Sequence, residues 1–75
     1  MLQHVKSSMI TIVDYHQENQ ILKVTFHSGE TYAYFNVPFN IYQELLNADS
    51  KGRFMNNNII EMYDYARIYD ENTKF

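Results

Sequence analysis

Two tyrosines in one short run are the side chains of this 75-residue chain best suited to binding chemistry. Tyr32 and Tyr34 lie in T-Y-A-Y-F-N-V-P, a run whose residues favour extended backbone. Residues two apart in a strand share a face, so the two rings would lie side by side. Exposed rings on a sheet can stack nucleobases, at about 1–3 kcal/mol per base. The alternative is that a helix covers both rings as part of the core.

A basic cluster around Lys51, Gly52 and Arg53 is the second candidate, as an anion site. The first N–H groups of a helix have no intrahelical partner, and they carry the positive end of the helix dipole, so they attract phosphate. Asn56 follows within the same predicted helix, and Arg67 could fold back from the C-terminal segment to complete a pocket. The alternative is that these are ordinary solvated charges.

Neither metal binding nor catalysis is indicated by the remaining polar residues. The three histidines, His4, His16 and His27, are far apart, whereas a metal site needs three or four convergent ligands. No serine stands beside a recognisable base and orienting group. We therefore expect a protein that is not an enzyme and that holds no metal and no cofactor.

The charge balance restricts any nucleic-acid site to a local patch. Nine acidic residues against six basic ones give a net charge of −3, whereas phosphate backbones are usually bound by strongly basic surfaces. Seven tyrosines are more than a small core can hide with their hydroxyls satisfied, so some rings should be exposed. Because the chain lacks cysteine, a long apolar run and a signal-peptide pattern, we expect a cytoplasmic protein with no membrane partner.

Hydrophobic alternation predicts three strands, over 8–15, 20–27 and 31–38. In the first of them Ile10 and Ile12 should share a face, and residues 1–7 should form a loose lead-in. Gly29 supplies the positive φ of a tight hairpin turn between the second and third strands. Pro38 cannot donate a ladder hydrogen bond, so the third strand should end there.

Beyond Pro38 the period changes to that of a helix, over about 41–47, with Asn40 as its cap. Ser50 should cap a second, shorter helix. Residues 63–69 alternate again and are predicted to form an extended arm that adds to the sheet or lies over it, and 70–75 should be frayed. The predicted fold class is α+β: a three-stranded antiparallel meander packed against one or two short helices, in one domain over 1–75 with its core at about 7–69.

Several short motifs follow one another along the chain, each occurring once. After S-S-x-I at 7–10 come Tyr15, L-x-V-x-F at 22–26, S-G-x-x-Y-x-Y at 28–34, V-P at 37–38, Y-x-x-L-L-x-A at 42–48, S-x-G-x-F-x-N-x-x-I at 50–59 and Y-x-Y at 63–65. This order resembles the KTSC family, over about 7–68. That family is named for a domain at the C-terminus of some lysyl-tRNA synthetases and also occurs as small bacterial and phage proteins. The resemblance implies RNA binding.

Residues and resemblance together predict a non-catalytic module for RNA or a nucleotide-like ligand. The residues expected to hold it are Tyr32, Tyr34, Lys51, Gly52, Arg53, Asn56 and Arg67. One alternative is a protein-interaction or self-association module, since tyrosine-rich surfaces also suit protein interfaces. Another is a phage protein that sequesters a nucleotide signal. Phosphate binding would weaken steeply as salt rises, and a tyrosine interface would not.

Overall fold

A five-stranded antiparallel sheet with two helices on one face forms the structure, a computed structural model that describes residues 1–69. The elements in chain order are β1 (Leu2–His4), β2 (Ile10–His16), β3 (Ile21–Phe26), β4 (Thr31–Tyr34), α1 (Phe39–Asn47), α2 (Lys51–Asn58) and β5 (Tyr65–Ile68). The spatial order of the strands is their order in the chain, and both helices lie in the connection between β4 and β5. No helix among residues 1–69 has the length and apolar character of a membrane span.

The predicted α+β class is confirmed, but the predicted number of strands is wrong. The N-terminal lead-in contains β1, which pairs with β2. The C-terminal arm becomes β5, which pairs with β4 from Thr31 opposite Ile68 to Tyr34 opposite Tyr65. Of the two alternatives for the arm, it therefore adds to the sheet. The end predicted to fray, 70–75, lies outside the described residues.

A β-bulge in β2 sets which of its side chains reach the core. Ile10 lies opposite Phe26 while Ile12 lies opposite Thr25, so Thr11 is an extra residue in the ladder. Its hydroxyl donates to the Thr25 carbonyl at 3.2 Å. The prediction that Ile10 and Ile12 share a face is wrong, because the bulge turns Ile10 to the buried face.

β4 lies between two turns. The sequence predicted the position of the first turn correctly but not that of the second. Gly29 has φ 101° in the β3–β4 hairpin, as expected from its freedom to adopt positive φ. At the other end the strand stops at Tyr34 rather than at Pro38. The reason is Asn36, whose φ of 60° breaks the extended backbone two residues before the proline.

The two helices differ in how they begin. Pro38, not the predicted Asn40, is the N-cap of α1, and no side chain caps that end. Proline suits this place because its fixed φ is compatible with a helix start. The prediction for α2 is confirmed, since the Ser50 hydroxyl accepts a hydrogen bond from the Arg53 backbone N–H at 3.2 Å.

The core lies between the helices and one face of the sheet. Its fully or nearly fully buried members are Ile10, Val13, Tyr15, Leu22, Val24, Tyr34, Val37, Tyr42, Leu45, Met55 and Ile59. At its centre Tyr15 stacks on Tyr42, with ring centroids 4.8 Å apart. The Tyr15 hydroxyl donates to the Val37 carbonyl at 2.6 Å, so one side chain joins β2, α1 and the segment between β4 and α1.

Replacing Tyr15 by Phe tests the hydrogen bond from the Tyr15 hydroxyl to the Val37 carbonyl. The substitution keeps the ring but leaves the buried Val37 carbonyl without its donor, so we expect a loss of about 1–2 kcal/mol in the free energy of unfolding, measured by urea denaturation. The control is Tyr69→Phe, at a ring that is 70% exposed, which should change stability by less than about 0.5 kcal/mol. Equal stability of Tyr15→Phe and the wild type would show that this hydrogen bond does not stabilise the fold.

Candidate functional site

A groove lined by aromatic rings lies on the helix side of the sheet, beside β5. Its deeper part is a depression of about 180 Å³ lined by Phe26, Tyr32, Tyr34, Ile60, Glu61 and Tyr65. A second depression of about 470 Å³ adjoins it, since Phe26, Tyr32 and Ile60 border both, and it continues to Met9 and Glu30. We call the two together the aromatic groove. The larger part is wide and open to solvent, whereas the smaller part is more enclosed.

Cross-strand register brings the rings of the aromatic groove together. Tyr34 lies opposite Tyr65, and Tyr32 lies opposite Arg67. Residues directly opposite each other in an antiparallel pair point to the same face, so all four side chains lie on the helix side. Ring centroids are 5.6 Å apart for Tyr32 and Tyr65 and 6.0 Å apart for Tyr34 and Tyr65. Phe26 extends the row, 5.8 Å from Tyr32.

Tyr32 and Tyr34, which the sequence predicts as one binding surface, differ in how far they are buried. Tyr34 is 2% exposed and belongs to the core, so it does not form an exposed stacking surface with Tyr32. Tyr32 is half-buried, and Tyr65 is 60% exposed. The accessible tyrosine rings of the groove are therefore Tyr32 and Tyr65, beside the half-buried Phe26.

The Tyr34 hydroxyl is held in its protonated form. Burial raises its pKa to about 12, and the neighbouring Tyr32 and Tyr65 hydroxyls add to the rise. Within residues 1–69 the hydroxyl has no hydrogen-bond partner. At neutral pH it is thus a neutral group that can donate or accept at the deeper part of the aromatic groove.

Two carboxylates border the aromatic groove, and they differ in what they contact. Glu30 is engaged, since its carboxylate accepts from the Ser28 hydroxyl at 3.1 Å and lies 3.8 Å from the Arg67 guanidinium. Glu61 has neither an ion pair nor a side-chain hydrogen bond within the described part of the chain. Its backbone has φ 71°, in the left-handed region that a glutamate enters at a cost.

The predicted basic cluster lies at the start of α2, where Gly52 packs against Met9. A Cβ on Gly52 would lie 3.2 Å from the Met9 side chain, so the helix approaches the larger depression closely there. The ammonium group of Lys51 donates to the Ala48 carbonyl at 3.2 Å, while Arg53 and Asn56 are exposed. Part of this cluster therefore has a structural role at the end of α1.

Arg67, in β5, lies beside the groove without lining it. Its guanidinium contacts Glu30 and stacks over the Tyr69 ring, 4.8 Å from the ring centroid. Neither depression is lined by Lys51, Arg53 or Arg67. The start of α2 reaches the larger depression only through the contact of Gly52 with Met9, and Arg67 reaches it only through its contact with Glu30.

Comparison with known proteins identifies the family to which this fold and groove belong. The model of the KTSC domain matches residues 6–63, well over half of the chain. This chain belongs to the KTSC family. The resemblance in the motif order is therefore confirmed.

Relatives of this KTSC domain occur both alone and within a larger enzyme. A protein of Tsukamurella paurometabola is 44% identical over 55 residues, which are 73% of this chain and 82% of that protein. A lysine–tRNA ligase of Nostoc punctiforme is 35% identical over 63 residues, which are 84% of this chain but 11% of the ligase. The structure of a KTSC domain protein of Yersinia pestis superposes with a TM-score of 0.86 at 34% identity, covering 92% of this chain and 97% of that one.

Tyr65, Glu61 and Ile60 are groove residues of this KTSC domain that sequence reasoning missed. The signal for Tyr65 was present in the alternation of 63–69, because an arm that pairs with the strand of Tyr34 must bring one of its own tyrosines onto the same face. Ile60 and Glu61 lie in the turn that follows α2, where hydrophobic period gives no information on orientation.

Alkaline unfolding tests the environment of Tyr34. Its folded-state pKa of about 12 lies above the ordinary value of 10, so its contribution to stability is complete below about pH 10 and is lost as pH rises towards 12. In urea denaturation, the wild type should lose more stability between pH 9 and pH 11 than Tyr34→Phe does. At pH 7 the two should be equal within about 0.5 kcal/mol, because the hydroxyl has no protein partner. An equal loss of stability by the wild type and Tyr34→Phe between pH 9 and pH 11 would show that the Tyr34 hydroxyl is not buried.

Proposed function

We propose that this KTSC domain is a non-catalytic binding module for RNA or a nucleotide, and that the aromatic groove holds a base. The observation that carries the proposal is the pair Tyr32 and Tyr65, two accessible rings 5.6 Å apart on the floor of a concave site. Flat rings of this kind bind bases by stacking, which every base permits. A protein that sequesters a nucleotide signal would use the same groove.

Local charge supports a phosphate beside that base. The net charge of −3 disfavours a long nucleic-acid track, but the Arg67 guanidinium lies 3.8 Å from Glu30, which lines the larger depression, and so supplies one cation beside the groove. A short strand or a single nucleotide needs no more than such a local site. The relation to lysine–tRNA ligases, whose name specifies tRNA, agrees with an RNA ligand.

Replacing Tyr65 by Ala tests the stacking surface. Loss of one base stack corresponds to about 1–3 kcal/mol, so the affinity for a short single-stranded RNA, measured by fluorescence anisotropy, should fall roughly 5- to 150-fold. The matched control is Met62→Ala, which removes a large side chain of similar exposure that does not line the groove. Equal affinities for the two variants and the wild type would refute base binding at this site.

Self-association through β5 is the second candidate function, and one observation favours it. Four of the six large hydrophobic side chains that are most exposed in residues 1–69 lie between 62 and 69, namely Met62, Tyr65, Ile68 and Tyr69. They surround an edge strand, whose outer backbone groups are available to a partner. Repeating the titration at higher salt separates the functions, since RNA binding should weaken steeply and a dimer seen by sedimentation should persist.

A further inference from the structure

Glu61 is the charged side chain at the deeper part of the aromatic groove, and its chemistry restricts which base fits. We infer that the groove prefers guanine, with the Glu61 carboxylate accepting hydrogen bonds from guanine N1–H and N2–H. This inference rests on the proposed function, because it names the ligand of the same site.

The side chains at the deeper part of the groove are acceptors rather than obligate donors. An ionised carboxylate accepts only, and a tyrosine hydroxyl accepts or donates. The residues that line this part are Phe26, Tyr32, Tyr34, Ile60, Glu61 and Tyr65, and they include no lysine, arginine, asparagine or glutamine. A base that enters must therefore present donors to Glu61.

Guanine meets this requirement better than the other bases do. Its Watson–Crick edge carries two adjacent donors, N1–H and the N2 amino group, which match the two oxygens of one carboxylate. Adenine and cytosine offer one amino group beside a ring acceptor, and uracil offers one N–H between two carbonyls. Bidentate, charge-assisted pairs are the stronger ones, and a carboxylate faced by a carbonyl or ring acceptor is left without its partner.

Glu61 is the carboxylate of the groove that has no partner of its own among the residues that the structure describes. Its φ of 71° belongs to the turn that follows α2, which is closed by the Met62 backbone N–H donating to the Ile59 carbonyl at 3.0 Å. Glu30 cannot substitute for it, because the Glu30 carboxylate already contacts Ser28 and Arg67. Glu61 is thus an exposed, unpartnered carboxylate, within residues 1–69, that lines the groove.

A cationic peptide side chain is the competing ligand for this groove. Aromatic rings with a carboxylate can also bind a lysine or arginine side chain through cation–π contacts. The Arg67 guanidinium, however, lies 3.8 Å from the Glu30 carboxylate that borders the adjoining depression. Arg67 thereby offsets the charge of Glu30, so a phosphate at that border meets a cation together with the carboxylate.

The experiment is an NMR titration of the full chain with GMP, IMP, AMP and UMP at one salt concentration. GMP should bind about tenfold more tightly than AMP or UMP, the discrimination of one good bidentate pair. IMP, which lacks the N2 amino group, should lie between GMP and UMP. In Glu61→Gln the amide has one acceptor oxygen, so GMP affinity should fall about tenfold while AMP affinity changes less than about twofold.

Glu44→Gln is the matched control, since it makes the same charge change at an exposed position in α1 and should leave GMP binding unchanged. Equal binding of all four nucleotides, unaffected by Glu61→Gln, would overturn the guanine preference and leave the base site standing. Absence of binding by every nucleotide and by single-stranded RNA would overturn both proposals. Binding of N-acetyl-arginine amide in place of nucleotides would overturn both in favour of a peptide ligand.

Discussion

The pairing of β5 with β4 is the interaction on which the candidate site depends. It sets Tyr65 opposite Tyr34 and Arg67 opposite Tyr32, and the Phe35 N–H extends the ladder by donating to the Asp64 carbonyl at 2.9 Å. At the other end the Arg67–Glu30 contact joins β5 to the hairpin between β3 and β4. Without this strand the floor of the aromatic groove would lose Tyr65, and Tyr32 would lie at the sheet edge.

The helices give the groove its depth without closing it. They lie between β4 and β5 in the chain, and α2 ends in a turn that places Ile60 and Glu61 over the rings of the sheet. The core beneath α1, anchored by the Tyr15 hydroxyl on the Val37 carbonyl, fixes where this connection leaves the sheet. A small domain with a modest core can thus present a rigid concave surface, because the site is built on strands rather than on long loops.

Sequence reasoning predicted the parts of this fold that local chemistry determines, namely the α+β class, the hairpin at Gly29 and the Ser50 cap. It missed features set by tertiary pairing. The strand β1 is too short for alternation to reveal, and the bulge at Thr11 changes the face of Ile10 without a mark in the residue types. Strand alternation places Tyr32 and Tyr34 on one face of the sheet, but the burial of Tyr34 depends on tertiary packing that alternation does not report.

Intermolecular NOEs between a bound guanine nucleotide and the protein show directly whether the base lies in the aromatic groove, because they report which side chains touch the base. If the base lies in the aromatic groove, NOEs will connect the base H8 and the ribose H1′ to ring protons of Tyr32 and Tyr65, with weaker contacts to the Ile60 methyl groups. NOEs confined to the start of α2, or to the opposite face of the sheet, would show that the base lies elsewhere and would contradict the account.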